Sequence, residues 1–229
     1  MFELRVLLWN LRLYTGGDSH RYFSELQESQ YRGRGNLMQR QKAALRNLLR
    51  YADSHVPFYT NRLEQTDVIS DDGINLDRFQ ALPLLDKKAL RTQSDSLKSD
   101  DLDDRSWWYN TSGGSTGEPV QFIQDQEYQQ WVTAIKRHFN AWTRYQRGQP
   151  RVKLWGSERD LFAGGETMKT RISRWVRNEH CLNAFRMGKD QMRKFVKEIN
   201  LVEPVQILAY VESIYELAKF IEEKSLEVH

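Results

Sequence analysis

Between Asn36 and Ala52, Leu37, Gln41, Leu45, Leu48, Leu49 and Ala52 recur at helical spacing. That pattern predicts a helix with Asn36 as its N-cap and the leucine stripe turned into a core. Gly16 to Asp18 and Arg32 to Asn36 read as breaks, Ser70 to Asn75 as an acidic turn, and Ser94 to Asp104 as a polar connector. Residues 1–105 therefore read as a mainly helical prelude. The period then shortens: Val120 to Asp125 alternates as a strand does, and Trp107 to Asn110 is a short aromatic run of the same type. Asp125 can cap a helix running to about Tyr145, with Tyr128, Trp131, Ile135, Phe139 and Trp142 on one face. Such an aromatic stripe is expected to be core rather than a stacking platform for bases. A strand over Arg151 to Trp155, a helix over Lys189 to Asn200, a strand over Val205 to Tyr210 and a helix over Glu212 to Lys224 complete the pattern. The last of these turns Ile214, Leu217, Ala218 and Ile221 inward. Alternating strands and helices predict an α/β layer over residues 106–229, in one incomplete domain overall.

The 229 residues, 39% hydrophobic and 12% aromatic, are enough to bury a substantial core. A net charge of +3 gives no reason to expect a nucleic-acid surface, so Arg32 with Arg34, and Arg171 with Arg174 and Arg177, read as solvated faces. One cysteine, Cys181, rules out an internal disulfide and points to a reducing, cytoplasmic setting. Its neighbour His180 does not make a nucleophilic pair, because adjacent residues of a strand or helix point apart. No histidine has metal-ligand spacing, so no structural zinc is expected. Glu3, Arg5, Asn10 and Arg12 interrupt the apolar start of the chain, which is neither an export signal nor a membrane span. Phe2, Val6, Trp9 and Leu13 share a helical face, which leaves two readings: peripheral membrane contact, or docking on the domain.

The densest chemistry lies in Asn110 to Pro119, N-T-S-G-G-S-T-G-E-P, between the two short strands. Glycines let backbone N–H groups converge on one anion, and Thr111, Ser112, Ser115 and Thr116 add hydroxyl donors. A Walker loop would need a lysine after its last glycine, where Glu118 stands. A dinucleotide fingerprint would need a glycine where Ser112 stands. The alternative is an ordinary hairpin connection, yet hairpins close in about two to five residues and this run is longer.

The loop resembles the phosphate motif of the adenylate-forming enzymes, [S/T]-[S/T]-G-[S/T]-T-G-x-P, through Thr111, Ser112, Gly113, Ser115, Thr116, Gly117 and Pro119, with Gly114 as an extra residue. Within that superfamily the chain looks most like the branch of phenylacetate–CoA ligases and capsular polysaccharide biosynthesis proteins. Four further segments carry this likeness: Tyr51 to Tyr59, Leu82 to Arg91, Arg151 to Gly156 with Gly164 and Gly165, and Glu203 to Ala218, where Val211 replaces the family's proline. Val120 stands where many members have lysine.

The resemblance implies the N-terminal part of a layered adenylate-forming domain. Its implied reaction is ATP-dependent activation of a small carboxylic acid, the carboxylate attacking the α-phosphorus to give an acyl-adenylate and pyrophosphate. Magnesium would assist, and coenzyme A is a possible acceptor. Thr111, Ser112, Gly113, Gly114, Ser115, Thr116 and Gly117 would hold the nucleotide's phosphates. Lys87 and Lys88 lie close enough in sequence to add charge, although exposed helical lysines are the plainer reading. Trp155, Gly156, Gly164 and Gly165 would help form the acyl pocket. The polar run Ser157, Glu158, Arg159 and Asp160 favours the capsule-type branch over an aryl pocket. The family's Tyr-Gly-x-[S/T]-Glu segment, ribose aspartate and lid lysine do not occur in the 229 residues, which match roughly the N-terminal half of such an enzyme. The expectation is a ligase incomplete by itself, or else a non-catalytic nucleotide-binding or interaction domain derived from one.

Overall fold

The computed structural model describes residues 4, 7, 17–70, 73–112, 119–156 and 168–229. They are mixed α/β and form two compact units, Asp18–Ile135 and Lys136–His229, the latter grouped with the described residues before Asp18.

The first unit begins with α1 (Ser19–Ser29), α2 (Arg34–His55) and α3 (Pro57–Gln65). Gly33, extended at ψ 151, occupies the N-cap of α2, so the helix starts before Asn36 and that residue caps nothing. Val56 is extended because a following proline disfavours the α region, and Pro57 then opens α3, where its missing N–H costs nothing. Leu49 of α2 buries against Leu63 and Val68, with Leu45, Ala52 and Tyr59 around them. A two-residue ladder, β1 (Ile69–Ser70) with β2 (Gly73–Ile74), follows, and then the short helix α4 (Lys87–Thr92), which Asp86 caps through Ala89 N–H at 2.7 Å.

β3 (Trp107–Thr111) and β4 (Gln121–Asp125) pair antiparallel from Trp107↔Asp125 to Thr111↔Gln121. Asp125 Oδ1 accepts Tyr128 N–H at 2.8 Å and starts α5 (Gln126–Trp142), as the sequence predicts. Tyr22 of α1 stacks on Trp131 at 4.0 Å, donates to Glu127 Oε1 at 2.9 Å, and joins Phe23 in burying Ala134.

The expected core stripe on α5 is corrected here. Trp131 is partly buried, but Tyr128, Ile135, Phe139 and Trp142 are exposed. The buried stripe is Trp131, Ala134 and His138, rotated from the aromatic one because alanine at 134 admits Tyr22 and Phe23 closely.

In the second unit, β5 (Arg151–Trp155) is the centre of a parallel sheet ordered β6-β5-β7, with β6 (Glu179–Asn183) and β7 (Gln206–Ala209) on its two sides. α6 (Met168–Arg177) leads into β6, α7 (Lys189–Val202) leads to β7, and α8 (Val211–Glu223) follows it. Val152, Leu154 and Leu182 form one core with Met192, Phe195, Val196 and Ile199 of α7 and Leu217 and Phe220 of α8. Residues alternating with them carry charge: Arg151 and Glu179, paired in register, meet at 2.5 Å and are almost buried.

Candidate functional site

Two places hold the residues singled out in the sequence, one in each unit. In the first, the β3–β4 ribbon closes just below the glycine-hydroxyl run. Ser112 N–H donates to the Val120 carbonyl at 2.9 Å, and Val120 N–H donates to Ser112 Oγ at 3.0 Å. Val120 is buried and serves packing. Because Ser112 Oγ accepts there, its own O–H remains available to donate. Thr111 is exposed at the end of β3, and its N–H donates to Asn110 Oδ1 at 2.8 Å. Gly113, Gly114, Ser115, Thr116 and Gly117 lie outside the described residues. Lys87 and Lys88 are exposed in the first turn of α4, which packs against β4.

The opposite end of the ribbon is anchored by a network that no spacing in the sequence announces. Arg105 donates to Tyr51 Oη and Asp101 Oδ2, each at 2.7 Å, and to Asp125 Oδ2 at 3.3 Å, while Tyr51 donates to Asp101 Oδ1. The Tyr51 hydroxyl and the Arg105 guanidinium hold the Asp101 carboxyl at about 2, below the ordinary carboxylate range. Burial raises the Tyr51 phenol, and its bond to Asp101 adds to that. A cleft of about 380 Å³ runs along this base, lined by Tyr51, Arg105, Ile123 and Asp125 among others. Its polar groups are already spent on one another, so the network positions the ribbon and does not itself form a ligand site.

In the second unit, the strand order places a topological switch between β5 and β7, and open parallel sheets bind ligands at the carboxyl ends of strands beside such a switch. Trp155, at the carboxyl end of β5, stacks on Tyr210, just past β7, with centroids 3.8 Å apart and planes 23° off parallel. Lys153 Nζ lies 5.4 Å from the Trp155 ring. Gly156 is buried beside them: a Cβ there would meet Asn183 Oδ1 at 2.8 Å and the Phe185 ring at 2.9 Å. Asn183 Oδ1 is held by Phe185 N–H at 2.9 Å, which fixes the turn after β6. Gly164 and Gly165 lie outside the described residues.

No family model matches the chain, and no curated protein matches it. The assignment of chemistry therefore rests on residues and geometry. Sequence reading finds Trp155 and Gly156 but misses Asn183 and Phe185, because E-H-C-L-N does not read as a strand. A larger groove of about 660 Å³, lined by Pro150, Asn178, His180, Lys194 and Glu198, lies by the amino ends of β5 and β6, away from the end where such sheets place ligands. Burial pushes the Cys181 thiol up, which disfavours the thiolate, and His180 turns towards Glu198 at 3.8 Å.

Proposed function

We propose that this chain carries the phosphate-holding and acyl-holding parts of an adenylate-forming enzyme of the acid–thiol ligase type, acting on a carboxylic acid in the cytoplasm. One observation carries the reading. The glycine-hydroxyl run is mounted on a closed β-ribbon, locked by Ser112 and Val120 at its neck and by Arg105 at its base, as a rigid holder of an anion requires. Thr111 and Ser112 would donate to the departing pyrophosphate, together with Gly113 through Gly117. Charge developing on that group calls for donors already oriented, since reorienting them during reaction raises the barrier.

Among the described residues no cluster of three or more His, Cys, Asp or Glu side chains is placed to hold a metal. Magnesium would thus be carried on the nucleotide's phosphate oxygens with its water, the mode this ion favours, and would neutralise charge there. Trp155, Gly156, Asn183 and Tyr210 would bound the acyl group, with the stacked ring pair as one wall and Gly156, lacking a Cβ, letting Asn183 and the Phe185 ring pack close beside it. The capsule-type substrate, an acid that decorates a polysaccharide, suits the polar residues Ser157 to Asp160.

The test is ATP binding by calorimetry with magnesium present. Thr116→Ala with Gly117→Val is expected to weaken ATP binding at least about tenfold, the loss of one or two charge-assisted donors, and, in a protein that also carries the family's lid lysine, to abolish pyrophosphate release with a panel of aryl and sugar acids. Wild-type protein that fails to bind ATP, or a variant that binds it equally, removes the reading.

A further inference from the structure

Helix α6 leaves most of its apolar arc uncovered. Met168, Ile172, Trp175 and Val176 form that arc, and Met168, Ile172 and Trp175 are 67%, 56% and 44% exposed, while Val176, Ser173 and Arg174 are partly buried. Ordinary surface helices bury that arc. Its charged positions are all basic: Lys169, Arg171, Arg174 and Arg177 occur with no acidic residue between Met168 and Arg177. On a helical wheel Lys169 and Arg171 flank the apolar arc on its two sides, and both are exposed.

We propose that α6 is an anionic-membrane contact, lying in the plane of the lipid interface with Met168, Ile172 and Trp175 dipped among the upper acyl chains. Charge decides the occupant. A second copy of this face would bring four cations against four, and a neutral apolar groove would leave Lys169 and Arg171 without counter-charge. An anionic bilayer supplies apolar depth beneath the arc and negative headgroups at both flanks, where long basic side chains reach outward. Trp175 sits at the boundary, which suits an indole, apolar in body and polar at its N–H. No helix among the described residues is long and apolar enough to cross a membrane, so this contact is peripheral. The inference is independent of the phosphate ribbon.

Vesicle pelleting tests it. The full chain is expected to sediment with phosphatidylcholine vesicles containing phosphatidylserine, not with phosphatidylcholine alone, and to be released by salt. Each cation at such a surface contributes about fivefold in binding, so Lys169→Ala with Arg171→Ala should weaken it by about 25-fold. Ile172→Asp should abolish it, with Ile172→Ala as a milder check and circular dichroism confirming that each variant stays folded. Wild-type protein that ignores vesicles, binds neutral and anionic lipid alike, or prefers polyglutamate to lipid overturns the proposal. So does undiminished binding by the variants, which would place the contact elsewhere on the chain.

Discussion

Replacing Glu179 by alanine should destabilise the second unit by about 3–5 kcal/mol, the usual cost of stranding one member of a buried ion pair. The side chains of Arg151 and Glu179 are only 11% and 7% exposed, so little water reaches the guanidinium once its partner is gone. The groups left near Arg151 compensate poorly: Gln206 Oε1 lies at 3.5 Å, the Tyr145 ring at 4.9 Å, and Arg151 Nε has no partner. By contrast, Arg151→Met with Glu179→Leu removes both charges together and should fall within about 1–2 kcal/mol of wild type. Urea unfolding of wild type, Arg151→Met, Glu179→Leu and the double variant closes the double-mutant cycle; with each single costing about 3–5 kcal/mol, a coupling of about 4 kcal/mol or more is expected.

The pH dependence has a definite sign. Burial pushes the Glu179 carboxyl up, but the Arg151 hydrogen bond and the charges of Arg151, Lys153 and Arg177 outweigh it and leave the carboxyl below its ordinary value. A folded value below the unfolded one means that the pair stabilises above about pH 4 and loses that stabilisation as pH falls. Since Arg151↔Glu179 and Trp155↔Asn183 belong to one parallel register, loosening the first pair should also disturb the sheet edge that carries Gly156. An additive cycle, or an alanine variant within about 0.5 kcal/mol of wild type, would refute the reasoning.

At Gly156, alanine should cost about 1–3 kcal/mol in urea unfolding, because its methyl group meets Asn183 Oδ1 and the Phe185 ring inside contact distance. Adding Asn183→Ala should recover part of that loss, and a neutral Gly156→Ala would show the neighbours to be soft. In the first unit, acid titration should show stability lost between about pH 4 and about pH 2 as Asp101 protonates, since its folded value lies at about 2. Asp101→Asn should flatten that part of the curve, and an unchanged slope would assign the acid sensitivity to other carboxylates.

Much of this architecture was legible because local signals agreed with one another. Asp125 announces α5 by capping it, and the aromatic run Trp107 to Asn110 and the alternation after Val120 mark the two strands of the ribbon. The strand over Arg151 to Trp155 stands where the sequence places it. Reading failed where a neighbour decided. Asn36 lost the cap of α2 to Gly33, whose extended backbone starts the helix without any side-chain bond. β6 stayed hidden because the partner of its charged first residue, Arg151, lies 28 positions away from Glu179. In the Tyr51–Asp101–Arg105 anchor, Asp101 and Arg105 are four residues apart, but Tyr51 joins them from about fifty positions away with no local signal.

Helices α5 and α6 show why periodicity alone does not orient a helix. Both have apolar stripes at the right spacing, and spacing says only that such a stripe exists. Which arc turns inward depends on how closely a neighbour can come: on α5 the small side chain of Ala134, against Tyr22 and Phe23, outranks the larger aromatic residues beside it. Rotating the helix to bury Phe139 and Trp142 would forfeit the Trp131–Tyr22 stack and the Tyr22–Glu127 hydrogen bond. Exposed aromatic side chains are therefore the cost of a better-packed arc, and on α6 the same exposure, with cations on both flanks, becomes a surface with a chemistry of its own.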